Sequence, residues 1–108
     1  MGCGNCMKPL ILKLAMDDLR EIYSILSEYG TNPPKKFRGS FEKFCVNVSI
    51  MPHMYAQYEL NPSYHRAVIA YDYLVFYKVE NYNDTSMVRV YRVLYGKRDI
   101  LPLLDPVM

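Results

Sequence analysis

The chain has 108 residues, of which 51% are hydrophobic, and its 13 Lys and Arg exceed its 11 Asp and Glu by only two. This length fits one domain, and the hydrophobic content excludes a disordered segment. So small a net charge gives no general attraction to nucleic acid, and such a role has to rest on a local cluster. No apolar run is long enough for a membrane helix and the start lacks a secretory signal, so we expect a cytoplasmic protein without membrane contact.

Three cysteines, Cys3, Cys6 and Cys45, are an odd number for a disulfide framework, and we expect reduced thiols. Cys3 and Cys6 form a CxxC motif, but a zinc site needs further ligands at suitable spacing. The remaining candidates are Cys45, His53 and His65. We therefore expect neither a metal nor a cofactor.

The first third of the chain predicts a strand and a helix. The run from Pro9 to Ala15 is short and mostly apolar, as in a strand. A helix over about residues 17–29 follows, with Asp18 and Glu21 as a capping-box-like start and Gly30 as the stop. Its apolar residues recur at helical spacing: Leu19, Ile22, Tyr23, Leu26 and Tyr29.

A second helix is predicted from Asn32, which serves as the cap, with Pro33 tolerated in the first turn. Pro52 ends the helical pattern. One apolar stripe runs along this helix: Phe37, Phe41, Phe44, Val48 and Met51. We expect the two helices to pair as a hairpin.

Three β-rich runs follow an irregular stretch and predict an antiparallel meander: Tyr64 to Ala70, Tyr73 to Val79, and Met87 to Tyr95. The connection Tyr71-Asp72 is short enough for a tight hairpin turn. Glu80 to Ser86 is predicted to be a longer polar loop. A short helix within 97–104 is expected to end the domain.

These elements predict an α+β fold in the order β-α-α-β-β-β. The helix hairpin and the N-terminal strand accompany a small antiparallel sheet, and both helical stripes are buried against one of its faces. The other face is expected to stay open, which makes it a place for a binding surface.

Two segments of the second half closely resemble the RelE/ParE toxins. They are Tyr73-Leu-Val-Phe-Tyr77, and Val90-Tyr-Arg-Val-Leu-Tyr-Gly-Lys-Arg-Asp-Ile100, which is the more specific. The resemblance extends through Met51-Pro-His-Met-Tyr55, Asn61-Pro62 and Asp18-Leu-Arg-Glu-Ile-Tyr23. It covers roughly residues 8–104, so we expect residues 1–7 to be a flexible extension of a single domain over 8–108.

The resemblance implies a small bacterial toxin of a type II toxin-antitoxin system, held inactive in a hetero-oligomer with its cognate antitoxin. RelE-like members cut mRNA on the ribosome, and ParE-like members poison DNA gyrase. We expect mRNA cleavage by metal-independent attack of the ribose 2′-OH on phosphate. The alternatives are a toxin that binds gyrase without catalysis and an inert member that binds only antitoxin.

Such cleavage requires a proton acceptor, a proton donor and cations that meet at one phosphate. The resemblance assigns the phosphate contact to Arg98 and, second, to Arg66, with Lys97 adding charge. Tyr95 or His65 would transfer protons. Each has a structural alternative: Lys97 and Arg98 as an antitoxin docking point or a solvated strand end, Tyr95 as a cap of the core, and His65 as a packed strand residue.

The chain also departs from the nuclease pattern. Aligned on the aromatic strand, two positions that carry basic groups in active nucleases hold Ala67 and Leu74. Neither side chain can neutralise a phosphate. This incomplete set favours the gyrase-binding or inert alternatives, although other nucleases of the superfamily use different residues.

Overall fold

The computed structural model describes residues 8–82, 85–97 and 100–104 and has the predicted α+β order. Its elements are β1 (Leu10–Ile11), α1 (Lys13–Ser27), α2 (Asn32–Ile50), β2 (His65–Ile69), β3 (Tyr73–Tyr82), β4 (Thr85–Tyr95) and α3 (Leu101–Leu104). The short C-terminal helix is thereby confirmed. In the described part of the chain, no helix combines the length and apolarity needed to cross a membrane.

The four strands form one sheet in the order β1-β4-β3-β2. β2, β3 and β4 make the predicted antiparallel meander. β1 lies parallel to β4, with Leu10 opposite Arg89 and Ile11 opposite Val90, so the sheet is mixed. The N-terminal strand therefore covers only a short part of the outer edge of β4.

Helix α1 begins earlier than the sequence indicates, because Lys13 to Ala15 form its first turn instead of extending the strand. Its cap position is Leu12, which offers no side-chain hydrogen bond. The capping role predicted for Asp18 is therefore wrong, since its carboxylate bonds to Arg92 on β4. Gly30 follows the helix with a φ of 114°, the left-handed backbone that favours glycine.

The N-cap position of helix α2 is Thr31, which makes no side-chain capping hydrogen bond, and the predicted cap Asn32 is the first residue of the helix. Pro33 lies in the first turn, as predicted, where a missing N–H costs nothing. The buried stripe is Phe37, Phe41, Phe44 and Val48, whereas Met51 follows the helix and is 59% exposed.

The polar loop predicted for Glu80 to Ser86 is wrong, because β3 and β4 stay paired as far as Tyr82 and Thr85. Contacts between polar side chains of the two strands accompany this backbone pairing. The Arg89 Nε lies 2.8 Å from the Glu80 carboxylate, and the Ser86 hydroxyl donates to Asn81 at 2.9 Å. These pairs offset the low β-propensity of the segment.

The main core lies between the helix hairpin and one face of the sheet. Alternate residues of β3 point into it, and its aromatic rings meet edge to face, as between Phe37 and Tyr73 at 5.4 Å. Its largest fully buried members are Tyr77, Phe37, Phe44, Val48, Val75, Val90 and Val93. At roughly 1.5–3 kcal/mol for each large buried side chain, this layer is the main source of stability.

A second, smaller core covers the opposite face, which the sequence predicted to be open. Its buried members are Tyr58, Tyr64, Leu74, Phe76, Leu94, Ile100 and Leu104. The segment before β2 folds over this face, since the Tyr58 N–H donates to the Tyr64 carbonyl at 2.8 Å. Tyr58 and Tyr64 thus cover the core, and the prediction of an open face is wrong for this part of the sheet.

Candidate functional site

His65 opens β2 beside the main core and is held by three neighbours. Its Nδ1 lies 2.8 Å from the Tyr55 carbonyl, and because a carbonyl only accepts, Nδ1 carries the proton in this bond. The ring stacks on Tyr77 with centroids 5.1 Å apart and meets the His53 ring at 5.5 Å. The imidazole is therefore packed in place, with Nε2 as its remaining acceptor.

Arg66 points to the opposite face, as strand alternation predicts. Its side chain is exposed, and its guanidinium carbon lies 5.9 Å from the centre of the Tyr58 ring. Arg66 is thus attached to the rim of the second core, and the sheet separates its charge from the His65 ring.

Tyr95 and Lys97 lie at the other end of the sheet, where β4 ends. Tyr95 pairs with Tyr73 across the strands, their ring centroids are 5.5 Å apart, and Tyr95 is 37% exposed. Lys97 is exposed just beyond Gly96. Arg98, the first candidate for phosphate contact, is not among the residues that the structure describes.

The distance between these groups follows from the strand register. His65 pairs with Tyr77 on β3, whereas Tyr95 pairs with Tyr73, and these positions are about 13 Å apart at 3.4 Å per residue. β2 and β4 also flank β3 on opposite sides, so they are roughly 10 Å apart across the sheet, at right angles to that offset. Of the described candidates, the structure brings together only Tyr95 and Lys97.

Ala67 and Leu74, which replace basic residues of active nucleases, are both buried. Ala67 is 1% exposed in the main core, and Leu74 is 8% exposed in the second core. Both positions therefore serve packing.

The predicted tight turn between β2 and β3 is present, but it also includes Ala70, because β2 ends at Ile69, and its backbone is unusual. Tyr71 and Asp72 both adopt positive φ values, of 61° and 63°. The Asp72 carbonyl accepts the N–H of Gly96 at 2.8 Å, and the Lys36 ammonium lies 5.5 Å from the centre of the Tyr71 ring. The turn is thus bracketed by the start of α2 and by the end of β4.

A groove of about 470 Å³ passes beside this turn. We call it the tyrosine groove, and it is lined by Ile25, Leu26, Tyr29, Pro33, Tyr71, Asp72, Tyr73 and Tyr95. Tyr29 is 75% exposed and Tyr71 is 40% exposed. Of these residues, the sequence indicated only Tyr95 as a candidate site residue. A helix end, a turn and a strand end share no local sequence pattern that would connect the others to it.

Cations cluster around the start of α2. Lys35 and Arg38 line an adjacent groove, and Lys36 lies over Tyr71. In the ranges that the structure describes, no ion pair involves Lys35, Lys36, Arg38 or Lys97. The tyrosine groove therefore has a basic rim.

A further groove, of about 500 Å³, separates β1 from α2 and contains Cys45. Burial, and secondarily the charge of Glu42, raises the pKa of the Cys45 thiol to about 11. The thiol is therefore protonated at neutral pH and unsuited to nucleophilic attack. No group of three His, Cys, Asp or Glu that could hold a metal is found within the described ranges.

The fold is a small α+β scaffold in which a helix hairpin packs on one face of a mixed four-stranded sheet. The family of the ParE toxin of the type II toxin-antitoxin system, parDE, matches residues 10–100, which is most of the chain. The chain therefore belongs to this toxin family. This membership confirms the broader resemblance and implies a cognate antitoxin as partner. Comparison with curated proteins gives no significant match.

Proposed function

We propose that this toxin stops growth by binding DNA gyrase, and that it catalyses no reaction itself. The observation that carries the proposal is the separation of His65, Arg66 and Tyr95 over two faces and two ends of the sheet. Binding needs a continuous surface, whereas RNA cleavage needs groups that converge on one phosphate.

The geometric demand of RNA cleavage is strict. A general base has to lie within about 3 Å of the 2′-OH that it deprotonates, or reach it through one water. His65 keeps Nε2 as an acceptor, but Arg66 points to the opposite face of the sheet, away from the ring. The register places Tyr95 more than about 13 Å from His65, so these two cannot serve the same phosphate.

Cleavage of mRNA on the ribosome is a second candidate, favoured by the tail that ends β4. The segment from Val90 to Ile100 resembles the RelE-like strand, and Lys97 and Arg98 are its cations. This alternative relies on Arg98 for the phosphate contact. It also requires that residues other than His65 and Arg66 transfer the protons.

The deciding experiment measures both activities with the same protein, purified away from its antitoxin. We expect inhibition of supercoiling by purified gyrase, and loss of DNA synthesis before loss of protein synthesis after induction. His65→Gln and Arg66→Gln should inhibit gyrase as the parent does. Intact supercoiling at high toxin concentration, together with new cuts in ribosome-bound mRNA, would contradict the proposal and establish the second candidate.

A further inference from the structure

The turn at Tyr71 and Asp72 has a conformation that its residues do not favour. The two central residues of a β-turn, when both have positive φ, are best filled by Asn-Gly or Asp-Gly. At Tyr71, with φ 61° and ψ 30°, a bulky side chain is held in the left-handed region at a steric cost. Strain of this kind is concentrated where a side chain is needed for function.

The fold itself makes little use of the Tyr71 ring. The ring is 40% exposed, belongs to neither core, and has the Lys36 ammonium over it. Burial therefore offsets the cost of the backbone conformation only in part. What the ring gains instead is a place on the wall of the tyrosine groove.

Three exposed tyrosines meet at this groove from distant parts of the sequence. Tyr29 follows α1, Tyr71 occupies the turn, and Tyr95 ends β4. Tyrosine is enriched at the centres of protein interfaces, because it buries a large rigid ring and keeps a hydroxyl for hydrogen bonding. The groove thus has the composition of an interface.

The positive charge at the rim of the tyrosine groove indicates the charge of its partner. Lys36 lies over Tyr71, Lys35 and Arg38 line the adjacent groove at the start of α2, and Lys97 follows Tyr95 by two residues. The carboxylate that lines the groove is Asp72, and Glu21 lies in a neighbouring groove that shares Tyr73 and Tyr95, so the cations are in excess. Such a rim attracts a segment with an excess of Asp and Glu, while the groove receives its apolar side chains.

We propose that the tyrosine groove is the surface by which this toxin docks on its target, and that its occupant is an acidic, partly apolar segment of gyrase. This inference rests on the proposed function. Tyr71 and Tyr29 provide the buried contact, and Lys36 and Lys97 provide the charge.

The test uses Tyr71→Asn, which suits the turn better than tyrosine and removes the ring. We expect the variant to melt at the same temperature as the parent or higher, and to inhibit gyrase at least tenfold more weakly, the effect typical of an interface centre. Val68→Thr is the matched control. Val68 is also an exposed apolar residue, at 58%, but lies on the other face of the sheet, so its inhibition should be unchanged.

Tyr29→Ser provides a second arm, because Tyr29 is 75% exposed and contributes little to folding. It should weaken inhibition at an unchanged melting temperature. If both variants inhibit as strongly as the parent, the docking surface is wrong while the gyrase proposal stands. If the parent itself does not inhibit gyrase, both are overturned. If the variants inhibit gyrase fully but escape neutralisation by the antitoxin, the groove belongs to the antitoxin, which also overturns the inference.

Discussion

Asp18 and Arg92 lie 74 residues apart and form a two-pronged ion pair, with Nε–Oδ2 and Nη2–Oδ1 distances of 2.8 and 2.9 Å. The same guanidinium donates to the Leu103 carbonyl at 2.9 Å, and Asp18 also accepts the Val93 N–H at 3.0 Å. One mostly buried pair therefore connects α1, β4 and α3. The hydrogen bond to Asp18 raises the pKa of Arg92 above its ordinary value, so the guanidinium stays charged.

Removal of one partner should destabilise the fold strongly. Asp18→Ala leaves a guanidinium that is 16% exposed without its counter-ion, and we expect the free energy of unfolding to fall by about 3–5 kcal/mol. Asp17→Ala is the matched control, since Asp17 pairs with Lys13 and Arg20 at the exposed surface, and its removal should cost less than about 1 kcal/mol. Urea denaturation measures both, and equal losses would contradict the structural role of the pair.

Alkaline pH should destabilise the protein partly through Tyr77. Burial raises the pKa of Tyr77 to about 12, and its hydroxyl donates to the Pro52 carbonyl at 3.0 Å. The folded state therefore disfavours the phenolate, so the stabilisation is complete below about pH 10 and is lost as the pH rises toward 12.

Tyr77→Phe tests this contribution. The variant should lose about 1–3 kcal/mol at neutral pH, because the Pro52 carbonyl loses its donor, and should decline less steeply above pH 10. Tyr73 and Cys45, whose pKa values are also raised by burial, contribute to the decline that remains. Parallel stability curves for parent and variant between pH 9 and 12 would show that Tyr77 does not titrate as expected.

The Cys45 thiol should react slowly with iodoacetamide. With its pKa raised to about 11 from 9.0, its thiolate fraction at pH 8 falls roughly 100-fold, and the thiolate is the species that reacts. In a Cys3→Ser/Cys6→Ser background, we expect alkylation to be slow when the chain is folded and ordinary in urea. A folded rate equal to that of free glutathione would refute this.

Gly96 is required by the close approach of β4 to the turn. A Cβ at Gly96 would lie 2.9 Å from the Asp72 carbonyl oxygen, so Gly96→Ala should cost about 1–3 kcal/mol. Gly39 within α2 has open space around its Cβ position, so Gly39→Ala should stabilise by about 0.5–1 kcal/mol. Thermal unfolding of the two variants should therefore shift in opposite directions, and a neutral Gly96→Ala would mean that the turn adapts.

The sequence predicted those parts of the fold that local patterns determine. Alternation places His65 and Arg66 on opposite faces, and the stripe from Phe37 to Val48 is the buried side of α2. Asp18 was misread because its spacing to Glu21 imitates a cap, whereas its partner Arg92 is distant in sequence. Local sequence patterns cannot indicate a pair of residues that are 74 positions apart.

The candidate site was harder to predict for the same reason. Tyr95 was found through a motif, but Tyr29 and Tyr71 join it only after α1, the turn and β4 have packed together. The second core was also missed. Tyr58 and Tyr64 lie in a segment without strand or helix periodicity, and their burial depends on the distant α3.

The short length of β1 leaves the outer edge of β4 uncovered beyond Val90, and Asp18 occupies that edge by accepting the Val93 N–H. A strand from another molecule would need this N–H to extend the sheet, and would meet a buried negative charge in its place. Inward-pointing charges of this kind protect natural sheets from edge-to-edge aggregation. The ion pair that holds the fold together thus also blocks a further strand at this part of the β4 edge, and we expect Asp18→Ala to make free toxin molecules more prone to aggregate.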